Sequence, residues 1–144
     1  AYAPIVERAA EAGLALNLDR IATTPNTLDA HRLIHWAGIE GRQTAAVSAL
    51  FRAYFTDGRD IGDHDVLADI ADGIEMDAAM VRRLLDGDSD LEDIRRRDAH
   101  SREMGVTGVP TFIVAQRHAV PGAQTKEMWV KVIGDIRAQI ADEG

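Results

Sequence analysis

The residues with the clearest chemical bearing run Gly105-Val106-Thr107-Gly108-Val109-Pro110-Thr111-Phe112-Ile113-Val114. Glycines and a proline make a tight turn there, and the β-branched residues after it launch a strand. Further on, Gln124 heads a helical stretch, where unpaired N–H groups and the positive end of the helix dipole suit a carboxylate or another anion. A Gln that only caps and packs fits the same position. His31 and His35 lie one helical turn apart, but two ligands do not make a metal site, and neither a HExxH pattern nor a cysteine completes one. A packed histidine pair is the expected reading, with no metal. Arg32, between them, is expected to pair with nearby carboxylates.

Other candidates fail on spacing. Asp86-Gly87-Asp88-Ser89-Asp90 opens like a calcium loop, yet Leu91 and Arg97 stand where Gly and Glu are required. Helix capping explains those aspartates. Arg95-Arg96-Arg97 sits on a solvated helix face, and no nucleophile-elbow signature gathers Ser, His and Asp. The chain holds no cysteine at all, so no thiolate, disulfide or thiolate metal site can form within it. No residue is assigned a catalytic role.

Composition narrows the class. The 144 residues carry 46% hydrophobic and 28% charged side chains, ordinary for a globular domain. A net charge of −8 argues against nucleic acid and anionic membrane as partners. No apolar run approaches the roughly 18 residues of a membrane span. A cytoplasmic location is the default expectation.

The elements that must position these residues read mostly helical. Pro4 suits the first turn of a helix over 2–12, and 14–18 alternates weakly, as a short strand or extended link. Asn26 or Thr27 can cap a helix whose face carries Ala30, Leu33, Ile34 and Ala37. Val47, Leu50, Phe51, Tyr54 and Phe55 form the broadest apolar stripe, stopped by Gly58. Asp63 and Asp77 can cap two shorter helices, and a charged helix over 88–104 offers Leu91, Ile94, Ala99 and Met104 to a core. Residues 111–114 and 118–120 read as strands around a turn at 115–117. A last helix from Gln124 to about Ile140 places Trp129, Val132, Ile133, Ile136 and Ile140 on one face. Two strands with one helix fall short of an independently stable sheet. Further strands must come from 14–18, from more polypeptide, or from a partner.

Several blocks together carry a resemblance. Thr24-Pro25-Asn26-Thr27 with Asp29-Ala30-His31-Arg32-Leu33-Ile34-His35-Trp36-Ala37, then Leu50-Phe51-Arg52-Ala53-Tyr54-Phe55, Gly58-Arg59-Asp60-Ile61, Gly108-Val109-Pro110 and Gly122-Ala123-Gln124 are similar to DsbA-like oxidoreductases of the FrnE type. Relatives of that family include 2-hydroxychromene-2-carboxylate isomerase and kappa-class glutathione transferase.

The resemblance implies a thioredoxin-like α/β fold, mostly helical. Residues 1–104 would be mainly the helical insertion and 105–144 the closing ββα part, without the N-terminal βαβ unit that carries the nucleophile. It implies a cis bond at Val109–Pro110, with Val109 and Pro110 offering backbone to a protein or peptide thiol or disulfide, or to glutathione, and Gln124 near the γ-glutamyl end. No cofactor is implied beyond glutathione as a substrate. The chain alone is expected to be inactive, as part of a longer thiol–disulfide oxidoreductase. The alternatives are a glutathione-dependent isomerase or transferase, and a non-catalytic helical binding module using Trp36, Tyr54 and Phe55. An unpaired apolar strand edge predicts a homodimer centred on residues 106–136.

Overall fold

A computed structural model describes residues 2–144. The chain divides into two compact units, Ala1–Asp98 and Ala99–Gly144. Helices α1 (Ala3–Glu11), α2 (Leu28–Ile39), α3 (Gln43–Phe51), α4 (His64–Gly73), α5 (Ala78–Asp86) and α6 (Leu91–Glu103) precede strands β1 (Thr111–Val114) and β2 (His118–Pro121) and helix α7 (Lys126–Glu143). The fold is mostly helical with a small antiparallel sheet.

The first unit has the larger core. Leu33 and Ala37 of α2, Ala46 and Leu50 of α3, Leu67 and Ala71 of α4, and Val81 and Leu85 of α5 form one buried cluster. Each fully buried Leu or Val contributes about 1.5–3 kcal/mol. Local signals agree with this packing. Asp63 accepts from the N–H groups of Asp65 and Val66, and Asp77 from that of Met80, so both aspartates cap as their sequence contexts predict. Ahead of α2 it is Asn26 whose side chain accepts from Leu28 N–H, at 3.0 Å.

The core also encloses a charge. Arg32, 2% exposed, donates to Asp29 Oδ1 (2.9 Å) and to the carbonyls of Leu84 (2.7 Å), Gly87 (2.8 Å), Ser89 (2.9 Å) and, more loosely, Leu85 (3.4 Å). The last carbonyls of a helix have no partner inside it. Arg32 therefore terminates α5 from outside and holds the following loop. Its guanidinium lies 5.1 Å from the Trp36 ring, whose N–H reaches Asp90 Oδ2 at 2.8 Å. The aspartate-rich loop thus serves the buried cation and the indole.

Several expectations are corrected. Of the two readings of 14–18, the strand fails and the extended link holds as far as Asn17, before a 3-10 turn at Leu18–Arg20. Asn17 N–H donates to Phe55 O and Thr56 Oγ1 to Ala15 O, which pins the stretch as an extended link against a π-helical turn at Arg52–Thr56. That turn interrupts the expected long helix. The buried face there is Ala46, Leu50 and Ala53, while Phe51 stands 60% exposed, because small alanines admit closer approach than a Phe ring. Trp36 is buried at 6%, which removes it from any docking surface. In α6 only Ile94 is buried; Ala99 lies exposed, as does Met104 just past the helix end. His31 is exposed and His35 approaches Asp90 at 3.9 Å, so the two histidines are not a packed pair.

In the second unit, Phe112 pairs with Val120 and Val114 with His118. The hairpin turn uses positive φ at Ala115 (52°) and Gln116 (61°). The Phe112 ring meets Trp129 edge-on, with centroids 5.0 Å apart. Ile136 is the residue of α7 that becomes buried, whereas Ile133 and Ile140, expected on the inner face, are exposed together with Val130.

Three substitutions test this packing. Arg32→Met should cost about 3–5 kcal/mol, since it strands several carbonyls and a carboxylate. The more exposed pair of Arg42 and Glu75 should contribute at most about 1 kcal/mol, read by urea titration of Glu75→Gln, which leaves the Arg42 bond to Ile74 O in place. Gly58 has φ +70°, and a Cβ there would sit 2.6 Å from Arg20 Cβ and 2.7 Å from its carbonyl oxygen. Gly58→Ala should therefore lower Tm clearly, with faster exchange of the Asn17 amide.

Candidate functional site

The proline turn lies in the second unit and is built by its neighbours. Gly105, at φ 88°, ends α6 with its N–H on Arg102 O, and Val106 N–H reaches Ser101 O. Thr111 Oγ1 donates to Gly108 O at 2.7 Å, and Gly122 N–H donates to Pro110 O at 2.7 Å. These bonds hold the turn on both sides of Val109. The Val109–Pro110 bond is cis. Val109 itself is 93% exposed, and its N–H and C=O have no backbone partner among the described residues. A groove of about 380 Å³ opens there, bounded by Met104, Val106, Thr107, Val109, Thr111 and Ala119, with no charged residue in its lining. In a chain of net charge −8, that patch of neutral wall is chemically distinct. It can take an extended, uncharged segment, with the Val109 backbone groups as donor and acceptor.

Pro110 lines this groove; Gln124 does not. Gln124 precedes the helix that it was expected to head, because Thr125 is the cap, accepting from Met128 N–H at 3.2 Å. The Gln124 side-chain amide donates to Pro121 O at 2.7 Å, so it braces the turn between β2 and α7.

A second recess, of about 560 Å³, lies in the first unit. Thr24, Asn26, Asp29, Asp60, Asp86 and Arg95 are among the residues around it, and its floor reaches Arg32. Beside it, His64 places Nε2 2.8 Å from Asp29 Oδ2 and Nδ1 3.3 Å from Asp86 Oδ1. Burial pushes the Asp29 carboxyl upward, but hydrogen bonds from Arg32 and His64 outweigh it and hold the group below its ordinary range. The bond to Asp29 raises His64, burial opposes this, and Asp86 adds to the rise. Sequence reasoning missed this cluster. The signal for it was only an Asp-x-x-Arg spacing at 29–32, with His64 and Asp86 far away in the chain. Among the described residues no group of His, Asp and Glu converges on a metal position.

Thr125→Ala removes the cap of α7 and should cost about 1 kcal/mol, seen as faster amide exchange at Met128 while α2–α5 keep their protection.

A family model matches most of the chain, and solved structures share its fold. A profile described as the DSBA-like thioredoxin domain matches residues 2–134. The uncharacterized protein YwbO of Bacillus subtilis is 29% identical over 125 residues, covering 85% of this chain and 62% of YwbO. A probable DsbA oxidoreductase from Streptomyces coelicolor superposes with a TM-score of 0.81 at 30% identity, over 92% of this chain and 57% of its own. A 2-hydroxychromene-2-carboxylate isomerase shares the fold, with a TM-score of 0.79 at 20% identity over 98% of this chain and 68% of the isomerase. The chain spans about three fifths of the length of the first two relatives.

Proposed function

This chain belongs to the DSBA-like thioredoxin domain family, and from that premise we propose that it is the substrate-presenting part of a thiol–disulfide oxidoreductase. The observation that carries the reading is Val109, almost wholly exposed, with unpartnered backbone groups beside a charge-free groove. An extended thiol- or disulfide-bearing segment would bond to the Val109 N–H and C=O as an added strand. Its sulfur would then be held next to the turn.

The thiolate has to come from polypeptide other than these 144 residues, which contain no cysteine. That thiolate attacks one sulfur of the substrate disulfide, forming a mixed disulfide and releasing the other sulfur as thiolate. A second thiolate then resolves the mixed disulfide, so the enzyme dithiol is oxidised and the substrate disulfide reduced by the same two electrons. The reverse sequence oxidises a substrate dithiol.

Glutathione-dependent isomerisation or transfer is the alternative, and it would use the same turn. One observation weighs against it: the Gln124 amide, which would meet the γ-glutamyl group, is already engaged by Pro121 O.

Binding to the 144-residue chain tests the assignment. A short apolar peptide with an S-methylated cysteine should shift the amide resonances of residues 107–111, and glutathione should shift them less. Val109→Asp should weaken peptide binding at least about tenfold, since it puts an unpaired charge against an apolar ligand. Because Val109 is exposed, Tm should stay unchanged. Insulin reduction by this chain should equal the uncatalysed rate. Peptide shifts confined to the first unit, or Val109→Asp binding as the wild type does, would remove the turn from substrate binding. Tighter binding of glutathione than of peptide would favour the isomerase reading.

A further inference from the structure

His64 is the first residue of α4, and both of its ring nitrogens face carboxylates on other helices. Asp29 lies in the first turn of α2, and Asp86 is the last residue of α5. A neutral imidazole owns one N–H. It can donate to one of these carboxylates and must turn a lone pair toward the other; the imidazolium donates to both. A single proton therefore decides whether α2, α4 and α5 are tied at this point.

Nothing in the helix itself asks for a cation there. The N-terminal turn is the positive end of the dipole, so an imidazolium is unfavourable unless acids surround it. The charged groups facing it do so. From α2 come Asp29 and, behind it, Arg32, which shares that carboxylate. From α5 comes Asp86, with Arg82 turned instead to Asp65. On the side of α4 stand the cap Asp63 and Asp65, with Asp60 in the preceding loop. Asp29 and Asp86 also border the 560 Å³ recess, so the ring spans between two of its walls. The carboxylates sit on opposite ring nitrogens, which rules out one metal ion held jointly by the three side chains.

We propose that His64 is a pH-operated clamp on the helical unit: protonated, it bridges Asp29 and Asp86 and ties α4 to both acidic walls of the recess; deprotonated, it keeps Asp29 and releases the Asp86 carboxylate, while Arg32 still holds the backbone at the end of α5. The direction of the pH effect follows. The folded-state value of His64 lies above the ordinary 6.5. The clamp's stabilisation is complete below about pH 6.5 and is lost as pH rises through the folded value. Asp29 acts in another range. Its folded value lies below the ordinary 3.8, so its contribution is present above that pH and fades only in stronger acid.

The test uses the 144-residue chain. The His64 ring is titrated by NMR, and Tm is recorded from about pH 5.5 to 8.5 for the wild type, His64→Gln and Asp86→Asn. The wild-type ring should titrate with a midpoint above 6.5, and Tm should fall by several degrees as that midpoint is crossed. Asp86→Asn changes a solvent-facing carboxylate and should lower the midpoint and shrink the fall. His64→Gln should flatten it. If His64→Gln does not fold, the wild-type and Asp86→Asn titrations decide. A wild-type midpoint at or below 6.5, or identical titrations and Tm profiles in wild type and Asp86→Asn, would overturn the clamp.

Discussion

The helical unit depends on one buried guanidinium. Taking an arginine out of water costs several kcal/mol unless its donors find acceptors. Here the acceptors are one carboxylate and a ring of backbone carbonyls at the end of α5 and in the loop behind it. Those carbonyls would themselves be orphans at a helix end. Two costs cancel each other at one point, and the geometry of both partners is fixed by the cancellation. The planar fork of arginine suits this better than a lysine ammonium, which is compact and strongly hydrated. Trp36 stacks over the guanidinium and reaches Asp90, so the same residue that covers the cation also ties down the far end of the loop. Asp90 takes up a positive φ of 58° there.

What could be read in advance divides by the range of the interaction. Caps and period changes are local, and Asp63, Asp77 and the hairpin after Pro110 were legible from a few adjacent residues. At Arg32 only the pairing with a nearby carboxylate, Asp29, was legible. Its carbonyl partners lie more than fifty positions away and have no side-chain signature. The α3 region misled for a different reason. Weighing residues by hydrophobic size points to Phe51, but close packing against α2 and α4 selects the alanines at 46 and 53, and the π-turn then re-aims the aromatic residues. At the candidate site the position of Val109 and Pro110 was legible as a turn. The engagement of Gln124 was not, because it depends on where Gly122 bends the chain, at φ 81°, toward Thr125.

The two units differ in how they are stabilised, and the difference bears on function. The first has a continuous cluster of buried side chains from four helices. The second has a two-stranded ladder, one aromatic contact and a single buried residue in α7. Regions with few buried apolar contacts open locally at low free energy. The groove beside Val109 belongs to this lightly held unit, where an added strand would contribute ladder bonds that the sheet lacks. A strand docked there would add to the stability of a hairpin that is already formed, so its binding and the hairpin's stability would be coupled.

That coupling also separates recognition from chemistry. The groove is uncharged and the Val109 backbone groups are indifferent to side-chain identity, so the turn can select for an extended, apolar stretch without specifying a sequence. Strand-like pairing supplies direction and register, because its donors and acceptors alternate along the chain. What it cannot supply is a reactive sulfur. Reactivity in thiol exchange is set by the pKa of the attacking thiolate and the leaving thiol, and nothing in a neutral groove tunes either. A protein using this turn can therefore change its redox behaviour at the nucleophile without altering what it grips. One fold likewise appears in a probable oxidoreductase and in an isomerase.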